Sequence, residues 1–183
     1  ENSPISETLL KLQDQKLKFP LIAKPDIGFR GLLVKKITSE NELKIYLNTY
    51  NIDIILQEFI AYKHECGIFY SRNPTTDKGV ISSITLKKFL CITGDGTSKN
   101  LKLIPKKLEI IQLSVIGNHS KGTQFLNGNH LISTQLEATF DALSKSIPGW
   151  FYGRIDLKYN HFSEIENGTD FKILEINGII AEP

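Results

Sequence analysis

Methionine is absent from these 183 residues, tryptophan occurs once and cysteine only twice. Two cysteines without a CxxC pair or a Cys/His ligand spacing exclude a disulfide framework and a structural zinc site. Cys66 and Cys91 are therefore expected to be reduced core thiols in apolar, strand-like surroundings. No apolar run approaches the roughly 20 residues that span a bilayer, and no basic, apolar and small-residue leader pattern opens the sequence. A soluble, cytoplasmic protein without a membrane partner is the expectation. An excess of one charge is also missing, because 22 basic against 20 acidic residues leave a net +2, which gives no electrostatic footprint for nucleic acid. The glycosylation triplets at Asn118 and Asn167 are read as chance matches. With Glu1 in first place and Met nowhere, the sequence is expected to be part of a longer gene product.

What is present is ordinary for folded protein: 40% hydrophobic and 23% charged residues, enough for one core or two small lobes. "SETLLKLQDQKLK" spaces Leu9, Leu10, Leu12 and Leu17 among polar residues and predicts an amphipathic helix over 6–18 with Ser6 as its N-cap. "FPLIAKP" and "LLVKKI" predict two strands joined as a hairpin through "DIGFRG". Ser39 followed by Glu42 forms a capping box before the helix "NELKIYLNTY". Further strands are expected at "DIILQEFI", "ECGIFYSRNP", "GVISSITLKKFLCI" and "EIIQLSVIG", with "TGDGTSKN" and "NHSKGTQFLNGNH" as polar connections. Leu136, Phe140, Leu143 and Ile147 form the stripe of a helix over 133–147, stopped by Pro148-Gly149. The strands "WFYGRIDLKY" and "FKILEING" follow, separated by a polar turn. Strands outnumber helices without a regular βαβ alternation, so the class is α+β.

The last two strands carry the chemistry. Residues two apart on a strand share a face, so Arg154 goes with Asp156 and Glu175 with Asn177, and antiparallel pairing would bring all four together. Two carboxylates and an amide oxygen suit a hard cation such as Mg²⁺, with Mn²⁺ as a substitute, and Arg154 beside them would meet anionic oxygens. A solvated cross-strand ion pair is the competing reading. Lys24, near the end of an apolar strand and followed by Gly28 and Gly31, reads either as part of a phosphate-contacting turn or as a snorkelling lysine beside a plain glycine hairpin. It is not a Walker loop, since GxxxxGK[ST] is absent. "IILQEFIAYKHE" could offer backbone groups to a purine edge and Glu65 to ribose hydroxyls, or Glu58 and Glu65 could be exposed strand-end charges. Neither cysteine has an identifiable base partner and the four histidines show no triad spacing, so no side chain reads as a nucleophile.

Taken in this order, the elements resemble the ATP-grasp superfamily, most closely the carboxylate-amine ligases of the D-alanyl-D-alanine ligase and cyanophycin synthetase type. The resemblance runs over 19–183 and is most specific at R-x-D in "GRID" followed by E-x-N in "LEING". It implies an ATP-grasp fold of two α+β lobes with mainly antiparallel sheets and the nucleotide between them. Residues 1–61 would be the small lobe with a leading helix, and 62–183 the large lobe with the metal site. In such ligases the residues matched by Lys24 and by the loop Gly28, Phe29, Arg30, Gly31 meet the nucleotide phosphates. Those matched by Gln57, Glu58, Phe59 and Ile60 frame adenine, and the one matched by Glu65 binds ribose. Asp156, Glu175 and Asn177 match the magnesium ligands, and Arg154 matches the arginine that stabilises a tetrahedral oxyanion, which makes Arg154 and Lys24 the catalytic candidates. Phe29-Arg30 departs from the small serines of the D-alanine ligases, while "ITGDGTSKN" looks like the GDG segment of the cyanophycin-type enzymes. Lys87 reads as a γ-phosphate contact or, preferably, as a strand-end surface lysine. His119, Ser120 and Lys121 could line an acceptor pocket or belong to a plain surface loop. The implied activity joins a small-molecule carboxylate to an amine at the expense of ATP, with Mg²⁺, in a chain that could form a homodimer. A kinase of the same fold and a nucleotide-binding module without turnover are the alternatives.

Overall fold

Leu21 and Ala23 are fully buried, and between and after them on the same strand Ile22 and Lys24 point the other way, as the two-residue period of a strand requires. In the computed structural model, which describes residues 4–28, 31–76, 78–93, 110–112, 114, 116–117 and 121–178, the chain divides into two compact units, Glu1–Ala61 and Tyr62–Pro183. In the first unit, α1 (Pro4–Asp14) and α2 (Glu40–Thr49) accompany the strands β1 (Leu21–Pro25), β2 (Lys35–Ile37) and β3 (Ile54–Glu58). The sheet is antiparallel in the order β2-β1-β3, and its core is Leu21, Ala23, Ile37, Leu12, Leu43 and Tyr46.

Helix α1 lies earlier than the leucine pattern predicts. It ends because Lys16 turns left-handed, with φ 56°, and the Leu17 N–H reaches back to the Leu12 carbonyl at 2.9 Å, a Schellman stop. Leu17 still packs on the core from beyond that stop, so it mimicked a helical residue in sequence. Ser6 lies inside the helix rather than at its cap. At α2 the Ser39 hydroxyl accepts the Glu42 N–H at 3.3 Å, while Glu42 accepts the Thr38 N–H at 2.7 Å, one residue before the cap. The expected strand "LLVKKI" keeps only Lys35–Ile37, because Gly31 and Leu33, with φ of 72° and 60°, make a turn.

The second unit holds β4 (His64–Arg72), β5 (Gly79–Lys88), β6 (Cys91–Thr93), β7 (Ile110–Gln112), β8 (Gln124–Asn127), α3 (Thr134–Ser146), β9 (Tyr152–Tyr159), α4 (Phe162–Glu166) and β10 (Phe171–Asn177). Five strands form an antiparallel sheet in the order β10-β9-β4-β5-β8, and β6 pairs with β7. One sheet face is apolar: Cys66, Ile68 and Tyr70 of β4 and Ile155, Leu157 and Tyr159 of β9 meet Leu136 and Phe140 of α3. Three expectations change. "QFLN" is not part of a connection but an edge strand, with all four residues exposed, Phe125 and Leu126 included; a short helix replaces the last polar turn; and Cys91 is exposed, so only Cys66 is a core thiol.

Tyr70 is fully buried in this core and donates its hydroxyl hydrogen to Asp141 Oδ1, which also accepts the Gly79 N–H at 2.7 Å. Burial, and then the bond to Asp141, push the Tyr70 hydroxyl up to about 12, against an ordinary value of about 10. A raised folded-state value means stability that is complete below about pH 10 and is lost as pH climbs towards 12. Tyr70→Phe should therefore cost about 2 kcal/mol at pH 8, the worth of a hydrogen bond to a charged group. The gap to the unmodified protein should narrow at pH 11, as read from urea unfolding at both pH values.

Candidate active site

The face of the five-stranded sheet opposite α3 is built by the same alternation. On β4 it takes Glu65, Gly67 and Phe69, and on β9 Arg154, Asp156 and Lys158, since their neighbours enter the core. β10 needs a device to join this face, because Ile173 and Glu175 are two apart and would otherwise point the same way. The β9–β10 register supplies it: Ile173 stands opposite Leu157, Glu175 opposite Asp156 and Asn177 opposite Arg154, with a bulge between Ile173 and Glu175. Ile173 thus packs on the core while Glu175 and Asn177 face the same side as Asp156 and Arg154.

Asp156 is the hub. It is nearly buried, and Arg154 donates to both its oxygens, Nε to Oδ1 and Nη2 to Oδ2, each at 3.2 Å. Asn177 Nδ2 donates to Oδ2 at 3.2 Å, and Lys87 Nζ lies 3.3 Å from Oδ1. Lys87 also bonds Glu65 Oε1 at 2.7 Å. Its side chain is 10% exposed, so Lys87 is not the surface lysine that its strand-end position suggested. Burial works against its charge, but the neighbouring Glu65 and Asp156 outweigh that and hold it above the usual lysine range. Glu65 is likewise no exposed strand-end charge.

Glycines make the space. A Cβ at Gly67 would stand 2.8 Å from Asp156 Oδ1 and 2.9 Å from Arg154 Cδ, and one at Gly117 would stand 2.6 Å from Glu65 Oε1. Sequence reasoning passed over both, although a glycine inside the apolar strand "ECGIFY" is itself a sign of close approach by another group. It also passed over Lys158, nearly buried on the same face and opposite Glu65 in the register.

The donor set fits a hard divalent cation. Asp156 and the exposed Glu175 are opposed across two strands, and Asn177 turns its amide nitrogen to Asp156, which leaves its carbonyl oxygen facing elsewhere. Among the described residues no cluster of three His, Cys, Asp or Glu is gathered around a metal position. Two carboxylates and an amide oxygen are ligand types that a magnesium ion accepts when substrate oxygens or water complete its shell.

The remaining nucleotide-binding candidates lie in the first unit. Lys24 stands opposite Ile55, on the face of the three-stranded sheet away from its core, together with Ile22 and Gln57. Glu58, opposite Leu21, alternates to the other face and is exposed at the strand end. Phe59 carries the Lys36 ammonium over its ring at 3.8 Å, and Ile60 follows it. Gly28 is exposed and Gly31 takes φ 72°, while Phe29 and Arg30 lie outside the described residues, as do His119, Ser120 and most of "ITGDGTSKN". Lys121 is exposed. Among the described residues no helix is long and apolar enough to cross a membrane.

No protein-family sequence model matches the chain, and no curated protein sequence does. Solved structures do. Carboxyaminoimidazole ribonucleotide synthase from Aspergillus clavatus, complexed with ATP, matches 97% of this chain with a TM-score of 0.56 and 11% identity. VanG D-Ala:D-Ser ligase from Enterococcus faecalis matches 94% with a TM-score of 0.54 and 15% identity. This chain spans 38% and 44% of the length of those two proteins. Both are ATP-grasp enzymes, and the fold of this chain, α+β with antiparallel sheets, is the ATP-grasp fold.

Proposed function

We propose that the chain is the ATP- and metal-binding part of an ATP-dependent ligase that activates a carboxylate as an acyl phosphate and joins it to an amine. One observation carries this reading: the β9–β10 register sets Asp156, Glu175, Arg154 and Asn177 on one polar face, beside the Lys87–Glu65 pair. The likeness to two ATP-grasp ligase structures supports it.

In this reading a carboxylate oxygen of the substrate attacks the γ-phosphorus of ATP, the bond to the bridging oxygen breaks, and ADP leaves. The amine, as free base, then attacks the acyl carbon; the tetrahedral adduct expels inorganic phosphate and sheds the amine proton. Asp156, Glu175 and Asn177 would hold Mg²⁺, which neutralises phosphate oxygens when bound. Lys24, Gly28 and Gly31 keep the phosphate-contacting role that the ATP-grasp resemblance implies for them. Arg154, held on the same face by its bonds to Asp156, would meet the oxyanion of the adduct. Glu65 accepts from ribose through the oxygen that Lys87 does not occupy.

The test is ADP formation from Mg²⁺–ATP with pooled amino acids and short peptides. ADP should appear only when a carboxylate and an amine are supplied together. ADP formed with a hydroxyl acceptor and no amine would make the chain a kinase, and nucleotide binding without ADP would make it a binding module.

A further inference from the structure

We propose that Lys87 is an internal counter-ion, which holds the cation position between Glu65 and Asp156 in the ligand-free protein and yields Asp156 to the divalent metal when nucleotide binds. This rests on the ligase reading of the site. The two carboxylates and the ammonium between them are 5%, 8% and 10% exposed. Carboxylates this deeply buried cannot stand side by side without compensating charge. Arg154 supplies part of it through Asp156, from a side chain that is 27% exposed. Lys87 touches both acids.

The sheet explains how it does so. Lys87 of β5 and Glu65 of β4 are direct partners in the register, whereas Asp156 of β9 stands opposite Gly67 of β4, one strand further away. Because Gly67 has no side chain, the ammonium can reach across β4 to Asp156 Oδ1, the atom a Cβ at Gly67 would crowd at 2.8 Å. A Cβ at Gly117 would likewise stand 2.9 Å from Lys87 Cδ, so a glycine there leaves room for the lysine stem. The two contacts are unequal. The 2.7 Å bond keeps Lys87 on Glu65, and the 3.3 Å contact to Asp156 is the one that a doubly charged ion displaces.

Metal binding without nucleotide is then weak, since the ion must enter beside an ammonium that Glu65 still holds in place. A nucleotide phosphate offers Lys87 a second anion, so metal and nucleotide tighten each other through this residue, reciprocally.

Mn²⁺ binding followed by electron paramagnetic resonance tests this, with and without adenylyl imidodiphosphate. Without nucleotide, Lys87→Gln should bind Mn²⁺ about tenfold more tightly than the unmodified protein, the worth of a nearby unit charge after screening, and Lys87→Arg should not. With the analogue, the advantage of Lys87→Gln should disappear. If Lys87→Gln gains nothing while the unmodified protein binds Mn²⁺ in an Asp156-dependent way, the counter-ion role is overturned and the ligase site stands. If Asp156→Asn binds Mn²⁺ as the unmodified protein does, the metal site and this proposal fall together. Should Lys87→Gln not fold, the unmodified protein decides: its ¹⁵Nζ signal for Lys87 shifts on saturation with Mg²⁺ and the analogue, and an unchanged signal overturns the role.

Discussion

Asp156→Asn is expected to lower Mg²⁺-dependent ATP turnover by about a thousandfold, the equivalent of about 4 kcal/mol in the transition state. The substitution preserves volume but replaces one acceptor oxygen by a donor. The groups that bond Asp156 among the described residues are donors: Arg154 Nε and Nη2, Lys87 Nζ and Asn177 Nδ2. Whichever way the new amide turns, it presents N–H to N–H on one side and removes the charge that a metal requires. A structural cost of about 1–3 kcal/mol comes with it, the penalty for leaving buried donors unsatisfied. Glu175→Gln separates the two effects, because Glu175 stands opposite Asp156 in the register but is exposed. Its stability should change by no more than about 0.5 kcal/mol, while turnover falls comparably. Circular dichroism melts and ADP release on the same samples check this. Turnover with unaltered Mg²⁺ dependence in Glu175→Gln would remove the metal site from the ligase reading.

The sequence made β9 legible because its alternation is a local property. Arg154, Asp156 and the apolar residues between and beyond them follow a period of two without interruption, so the face of β9 could be read directly. β10 could not be read in the same way. Phe171, Ile173, Glu175 and Asn177 all share one parity, and only the bulge after Ile173 sends the first pair to the core and the second to the site. A bulge is set by the partner strand and leaves no local mark here. β5 hides the same device: Ile81 and Ile84 are an odd step apart and both are buried, because the register slips between Phe69 and Tyr70. Lys87 was misjudged for a related reason. Its burial comes from Glu65, Asp156 and Gly117, residues distant in sequence, and a lysine near a strand end looks solvated until those neighbours are known. The α+β class and most elements survived, since hydrophobic spacing and capping residues specify them within a few positions.

Gly153→Ala should be more damaging to the fold than Asp156→Asn. Gly153 precedes Arg154 on β9 and takes φ 145°, a conformation that residues with a Cβ rarely adopt. A Cβ there would lie 2.0 Å from the Asn177 carbonyl oxygen, 3.1 Å from its carbon and 3.3 Å from Gly178 Cα. All three are backbone atoms, so no rotamer change relieves the clash. The strands must part at the end where Asn177 faces Arg154, two residues from the Glu175–Asp156 pair. A loss of about 3 kcal/mol or more is expected, the range of overpacking and backbone strain combined, and ATP turnover should fail even well below the melting temperature. Two other glycines calibrate the result. Gly149 has φ 78° with nothing within 4 Å of its built Cβ, so Gly149→Ala should cost only the left-handed penalty of about 1 kcal/mol. Gly178 has open space as well and no positive φ, so Gly178→Ala should fall within about 0.5 kcal/mol of the unmodified protein. If thermal melts place Gly153→Ala beside Gly149→Ala, the close approach of β10 to β9 is not what holds the site together.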